Sequence, residues 1–450
     1  MNKSIVIIGN GIAGITAARF IRKFSDHSIT VISDESDHFY SRTALMYIYM
    51  GHLTYENTKP YEDSFWEKNR IELIRGYVMQ VETSKRRLIL AGGNVVNYDI
   101  LIIATGSRSR KFGWKGQDLE GVQGLYSLQD LELMESNAMG ISRGVIVGGG
   151  LIGIEMAEML SSRNIPVTFL VREEEYWSNI LPQEEGNMIS RHIREHHIDL
   201  RLETELREVL ADENGRVRGV ITSKGEEIAC QFVGLTTGVT PNVEFLEESE
   251  IEVAAGVEIN NFFETNVQDV YAIGDCAQFR EPHHHHPSIE QLWYTGRMHG
   301  ETVARTICGD RTEYDRGVWF NSAKFLDIEY QTYGFVSNVP RDGEESLYWE
   351  HPDGRHAIRI NYRSSDGVVV GSNLLGIRQS HQVWESWLRE GKRIDYVLEH
   401  LGAANFDPEF YTQFEASMVE EYNKRHSGNP LALKRRRGIR NRNQEISIPS

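Results

Sequence analysis

At 450 residues the chain is too long for one ordinary hydrophobic core, and its length predicts two or three domains. Its 40% apolar and 25% charged residues match a globular protein in water. No apolar run approaches the roughly 18–20 residues needed to cross a bilayer. The first apolar segment, 5–8, runs straight into glycines, as a buried strand does and a secretory leader does not.

The net charge of -17 is unevenly spread, because the segment 431–450 carries Lys434, Arg435, Arg436, Arg437, Arg440 and Arg442 against the single Glu445. Such a basic tail on an acidic body reads either as a solvated segment folded against its own chain or as a contact for an anionic or acidic partner. Cys230, Cys276 and Cys308 are too few and too far apart for a disulfide framework or a cysteine-based zinc or iron–sulfur site, which points to a reducing cytoplasm, and no residue is assigned to a metal.

In chain order, 4–8 is an apolar strand, 9–14 a glycine turn, 15–24 has helical spacing and 28–32 is β-rich, which together make a βαβ unit. The same order returns at 144–147, 148–153, 154–163 and 166–171. The runs 99–104 and 231–235 each read as the strand that completes one parallel sheet. From about Gly317 the texture changes to β-rich stretches at 358–362 and 368–370, followed by an amphipathic helix at 379–389. The predicted class is α/β, with two Rossmann-like domains and a C-terminal α+β domain.

Gly9, Gly11 and Gly14 form a GxGxxG between strand and helix. The first glycine allows the tight turn, the second lets the backbone approach a pyrophosphate, and the third lets helix and strand pack closely. The helix N-terminus adds free N–H groups and partial positive charge. Asp34 and Glu35 follow the second strand where a carboxylate would bind ribose hydroxyls, and since Ser33 holds the strand end, either could serve. Gly148, Gly150 and Gly153 repeat the fingerprint, so the chain is expected to bind two dinucleotides. Beyond the next strand Val171 stands at the usual acidic position with Arg172 after it, which favours a 2′-phosphate, hence NADPH over NADH.

With Ala104-Thr105-Gly106, the run Thr237-Gly238-Val239-Thr240-Pro241-Asn242, and Gly274-Asp275 at the end of a predicted strand, the chain resembles the FAD-dependent pyridine nucleotide-disulfide oxidoreductase superfamily over roughly 3–415. The resemblance implies an FAD-binding domain at 1–115 and 244–316 and an NAD(P)-binding domain at 116–243. It also implies an interface domain at 317–430 that would form a homodimer, leaving 431–450 as the basic tail. It assigns the first fingerprint to FAD, the second to NAD(P)H and Asp275 to the ribityl chain. Glu155 becomes the glutamate reaching toward nicotinamide and flavin.

The segment Tyr40-Ser-Arg42-Thr43 through Gly51 is similar to the coenzyme A disulfide reductases and NADH oxidases, but Thr43 stands where their redox cysteine would be. No cysteine occurs in 1–229, so that segment can form neither a thiolate charge-transfer pair nor a mixed disulfide. Electrons would then leave the flavin directly, as in ferredoxin and rubredoxin reductases, monodehydroascorbate reductase and the flavoprotein part of NADH-dependent nitrite reductase. Arg42 would bring positive charge near the flavin or its phosphates, and Tyr47 replaces a lysine common in those relatives. Thr43 and Tyr47 are therefore candidate catalytic positions beside Glu155. The expected activity is electron transfer from NAD(P)H through FAD directly to an unidentified acceptor, a ferredoxin- or rubredoxin-like protein or a small molecule, with an oxygen-using oxidase or a FAD-binding redox sensor as alternatives. The histidine run 283–286 reads as an exposed loop. Trp293, Tyr294, Trp384 and Trp387 read as buried helix residues, and Cys276 as packing.

Overall fold

The computed structural model describes residues 2–283, 286–406, 409–410 and 412–434. His284, His285 and the arginines of the basic tail lie outside them. Two compact units emerge: the chain up to Glu174 together with His197–Arg316, and Glu175–His196 together with the chain from Gly317 onward.

The first unit holds two parallel five-stranded sheets. In the first the order is Val270–Ala272, Ile100–Ile103, Ser4–Ile8, Ser28–Ser33 and Ile71–Arg75. In the second it is Asp199–Arg201, Val167–Leu170, Gly144–Val147, Phe232–Leu235 and Val122–Gln123. Both follow from short runs rich in valine and isoleucine, because a strand covered on both faces needs an unbroken apolar sequence. Ile5, Val6 and Ile7 are all fully buried. In each sheet the fingerprint strand lies between neighbours that the chain reaches by moving first to one side and then to the other. The crevice at that strand's carboxyl end is where open α/β sheets bind ligands.

Both fingerprint helices begin earlier than the sequence spacing implies, at Ile12–Phe24 and Leu151–Ser162, so Gly14 and Gly153 lie inside the first turn. The helix can start at once because neither Gly11 nor Gly150 needs a side-chain cap if a ligand meets the free N–H groups.

The second unit contains an antiparallel sheet in the order Phe320–Phe325, Ile328–Gly334, Val369–Leu375, Ala357–Arg363 and Glu344–Glu350. Helices His381–Arg389, Ile394–Glu399 and Glu415–Arg425 contribute to its core. Trp384 and Trp387 are buried there, with Trp384 stacked on Tyr333 at 5.9 Å between ring centroids.

The expected span 116–243 is interrupted. Residues 175–196 pack with the C-terminal part, since helix Gln183–Glu195 buries Glu185 against Arg359 and Asn373, at 2.9 and 2.8 Å. Spacing along the chain could not show this, because the partners lie more than 170 residues away. No helix among the described residues is long and apolar enough to cross a membrane.

Candidate functional site

The first glycine turn opens into a cavity of about 1090 Å³. Three glycines divide the work of shaping it. Gly9 sits at φ +110°, and a Cβ there would lie 2.1 Å from the Ala104 carbonyl oxygen. A Cβ on Gly14 would lie 2.1 Å from the Gly9 oxygen, so the helix could not seat on the strand. Gly11 has nothing within 4 Å of its missing Cβ, which leaves its backbone open to the cavity. The helix behind it has no acidic residue in its first turn and no side-chain cap, which leaves its N–H groups available to phosphate oxygens.

Of the sequence-predicted residues, the cavity brings together Gly9, Gly11, Asp34, Glu35, Arg42, Thr43, Thr105, Gly106, Gly274 and Asp275. The two acidic candidates are not equivalent. Glu35 receives both Arg42 Nη atoms at 2.8 and 2.5 Å, the Leu128 N–H at 3.1 Å and the Tyr40 hydroxyl. Burial pushes the Glu35 carboxyl up, but Arg42 and these donors outweigh it and hold the group below the usual range. Asp34 is exposed on the cavity wall and makes no hydrogen bond or ion pair among the described residues. Ser33 at the strand end donates to Asn10 at 3.0 Å, and Asn10 in turn donates to the Ser36 carbonyl at 2.9 Å, pinning the turn that presents these acids.

Gly274 and Asp275 follow strand Val270–Ala272, with Gly274 at φ +72°. Burial pushes the Asp275 carboxyl up, opposed by Tyr126 and Arg42. The Tyr126 hydroxyl donates to Asp275 Oδ2 at 3.1 Å and accepts the Ser107 N–H at 2.9 Å, while the Arg42 guanidinium lies over its ring at 4.4 Å. Behind the loop, the Gly274 N–H donates to His299 Nδ1 at 3.1 Å. His299 Nε2 meets Glu290 at 3.4 Å, and Glu290 is also held by the Tyr314 hydroxyl at 2.7 Å and Arg316 at 2.9 Å. Tyr126 and His299 are not legible in the sequence, because no short motif contains them and their partners are distant in the chain; Asn10 lies inside the first fingerprint and Glu290 opens the segment that resembles the family's helix start near the flavin, but their hydrogen-bond partners are not given by spacing. Trp293, expected to be buried, instead lines the cavity, and Tyr294 is half-buried.

Thr43 is exposed on the cavity wall with its hydroxyl 3.1 Å from that of Ser41. No cysteine lines the cavity. Cys276 is fully buried behind it, its thiol donating to the carbonyls of Ile273 and Ile103 at 3.3 and 3.5 Å, as a packing role requires. All three cysteines are unpaired.

Tyr47, Glu155, Gly148, Gly150, Gly153, Arg172 and Gly238 lie outside that cavity. Tyr47 stacks on His52 at 6.2 Å. Its helix, Leu45–Tyr49, packs on helix Leu151–Ser162, which carries Glu155. Burial, with Glu158 nearby, pushes the Glu155 carboxyl up to about 7. The second fingerprint repeats the first: Gly148 is at φ +112°, a Cβ on Gly153 would lie 2.3 Å from the Gly148 oxygen, and Gly150 is open. Arg172 is exposed and its Nε meets Glu173 at 2.9 Å, so its charge is partly answered. Gly238, at φ +104°, leads into strand Val239–Pro241, which pairs antiparallel with Ser107–Ser109. Thr105 Oγ1 donates to the Asn242 carbonyl at 2.6 Å, tying the two glycine-ended segments together. His283, the start of the histidine run, donates to the Tyr314 carbonyl at 3.1 Å.

This geometry agrees with the comparisons. The model of the pyridine nucleotide-disulphide oxidoreductase family matches residues 3–300, and the chain belongs to that family. It is an FAD-dependent oxidoreductase that uses NAD(P)H. A ferredoxin–NAD(P)(+) reductase of a Sphingomonas species is 28% identical over 390 residues, covering 82% of this chain and 92% of that protein. A nitrite reductase [NAD(P)H] of Bacillus subtilis is 26% identical over 378 residues, which is 83% of this chain; the chain spans 46% of that longer protein. Among solved structures, a NAD-dependent persulfide reductase from A. fulgidus has the same fold, with a TM-score of 0.81, 22% identity, and coverage of 95% of this chain and 84% of that one.

Proposed function

We propose that the chain passes hydride from NAD(P)H to FAD, and then electrons directly to a separate acceptor, without a thiol relay. The observation that carries this reading is the cavity wall, where Thr43 stands and no cysteine does. Bound FAD supplies the redox chemistry, taking a hydride and releasing its electrons onward. The residues supply position. The Gly11 turn and the uncapped helix N-terminus meet the pyrophosphate, Asp34 the adenosine ribose, and Asp275 the ribityl hydroxyls, while Arg42 sets the charge of the wall. Glu35 serves as the partner that fixes Arg42. Gly148, Gly150 and Gly153 hold NAD(P)H, with Glu155 on the same helix.

The acceptor that best fits a cysteine-free site is a small electron-transfer protein of the ferredoxin or rubredoxin kind, in keeping with the Sphingomonas relative. Arg172 inclines the second site toward NADPH, although Glu173 competes for it. The three unpaired cysteines suit a reducing cytoplasm, residues 317–430 would form the homodimer, and the basic tail would steer an acidic partner.

Anaerobic titration of the flavin-loaded protein with NADPH, and in parallel NADH, tests the reading. Full reduction by one equivalent per flavin is expected; uptake of two would mean a second redox centre and overturn the thiol-free relay. Rapid oxygen consumption with no protein partner would make the enzyme an oxidase. Negligible turnover with every acceptor would make it a redox sensor.

A further inference from the structure

Within the second unit, helix Gln183–Glu195 ends by placing two imidazoles one turn apart. His192 is 1% exposed and His196, the residue that closes the helix, is half-exposed. Both turn their Nε2 atoms toward Oδ1 of Asp327, which stands in the two-residue turn between strands Phe320–Phe325 and Ile328–Gly334. The three atoms form a tight triangle. The two Nε2 atoms are 3.2 Å apart, His196 Nε2 is 3.0 Å from Oδ1, and His192 Nε2 is in closer contact still. The buried neighbour Leu326 takes φ +58°, a conformation a bulky residue seldom adopts, and this holds Asp327 at the tip of the turn.

Neutral imidazoles do not satisfy this triangle. If His192 carries its proton on Nε2 and donates to Asp327, its Nδ1 is a bare acceptor, buried, with no hydrogen-bond partner. If the proton is on Nδ1, that N–H faces Glu195 Oε2, 3.6 Å away, but Nε2 and Oδ1 then confront each other as two acceptors. A metal cation resolves the conflict, because the three ligand atoms lie close enough together for each to give it a lone pair. Glu195 Oε2, 3.6 Å from His192 Nδ1, stands on the side from which a carboxylate supports a metal-bound histidine, and a small side-chain adjustment would bring it into hydrogen-bond range. Arg355 Nη1 lies 3.6 Å from Asp327 Oδ2, which leaves Oδ1 to ligate. The helix C-terminus adds partial negative charge beside the cation.

We propose that His192, His196 and Asp327 bind a divalent transition-metal ion, with zinc as the best-matched ion and a water completing the shell. Zinc bonds of roughly 2.0–2.1 Å in tetrahedral geometry put neighbouring ligand atoms about 3.3 Å apart. Two of the three edges are close to that value, and the short His192–Asp327 contact opens when the ion enters. The set of two imidazoles and one carboxylate selects zinc, cobalt or nickel over magnesium or calcium. The exposed sides of His196 and Asp327 provide the path in and the position for water. The ion would clamp the helix to the hairpin within this unit. All three ligands belong to the second unit, whereas both glycine fingerprints belong to the first.

Zinc chloride is titrated calorimetrically into chelator-stripped, flavin-loaded full-length protein, with thermal melting followed in parallel. One tight equivalent is expected, together with a rise in Tm that follows zinc concentration. His196→Ala should remove that equivalent and the Tm response while flavin content stays unchanged. Asp327→Asn, at an exposed turn, should do the same. Glu195→Gln should weaken binding about 10- to 100-fold. A second group, His351, Asp353 and His356, lies in another hairpin of this unit, and His356→Ala serves as the control. The proposal is overturned if the wild type takes up no stoichiometric zinc, if His196→Ala and Asp327→Asn both bind as the wild type does, or if only His356→Ala abolishes binding.

Discussion

Glu155 carries the clearest electrostatic consequence of its surroundings, since burial, with Glu158 nearby, pushes its carboxyl from 4.5 up to about 7. The folded chain therefore holds this proton more tightly than the unfolded chain. The stability contributed by the protonated form is complete below about pH 4.5 and is lost as the pH rises through 7. Glu155→Gln lacks that loss, so urea unfolding should show its stability relative to the wild type growing between these limits and levelling off above them. The total would be up to about 3 kcal/mol, since each tenfold difference in proton affinity between folded and unfolded chain is worth about 1.4 kcal/mol. A difference that stayed flat with pH would mean the carboxylate is already ionised in the fold. The candidacy of Glu155 is legible in the GIE step of its fingerprint, whereas its raised pKa is not, because it arises from what covers the helix. Asp34 and Glu35 show the same limit. As adjacent acids they are indistinguishable in sequence, and only the Arg42 fork separates the paired one from the exposed one.

At the scale of elements, the glycine turns show how one motif carries two kinds of demand. Gly9 answers to the fold: its φ of +110° and the 2.1 Å approach to Ala104 exclude any side chain. Gly9→Ala should cost more than about 4 kcal/mol and yield little folded protein. Gly11 answers to the ligand, because its φ of -70° suits alanine and nothing blocks a Cβ. Gly11→Ala should melt within a few degrees of the wild type's apoprotein yet lose flavin affinity at least tenfold, or about 1.4 kcal/mol. Flavin retention after gel filtration, read beside circular dichroism, checks both. Equal retention in Gly11→Ala would place the pyrophosphate elsewhere. Helix and strand order is legible here because periodicity and glycine spacing are local properties. The helix starts are less so, because an uncapped first turn leaves no capping residue in the sequence to mark it.

For the molecule as a whole, the division into units rests on pairings that no local pattern announces. Glu185, fully buried, is held by Arg359 and Asn373, and Arg359 also reaches Glu184 at 2.7 Å and Ser346 at 2.8 Å. Removing one member of such a buried pair leaves the other charge without compensation. Arg359→Ala should therefore destabilise the second unit by about 3–5 kcal/mol. In calorimetry this would appear as an earlier transition, with flavin release from the first unit unshifted; a loss under about 1 kcal/mol would show that Glu185 is not left as an uncompensated buried charge, in line with burial pushing its carboxyl up.

The sequence by itself determined the two βαβ units, their order, the α+β region after them and the absence of a cysteine before Cys230, because strand periodicity, glycine conformations and residue identity are properties of short segments. Only the tertiary structure decided that Tyr126 and His299 support the Asp275 loop, that helix Gln183–Glu195 belongs with the C-terminal sheet, and that His192 and His196 meet Asp327. Each of these joins groups more than 20 residues apart in the chain. Burial and charge then act on whichever groups the fold has brought together.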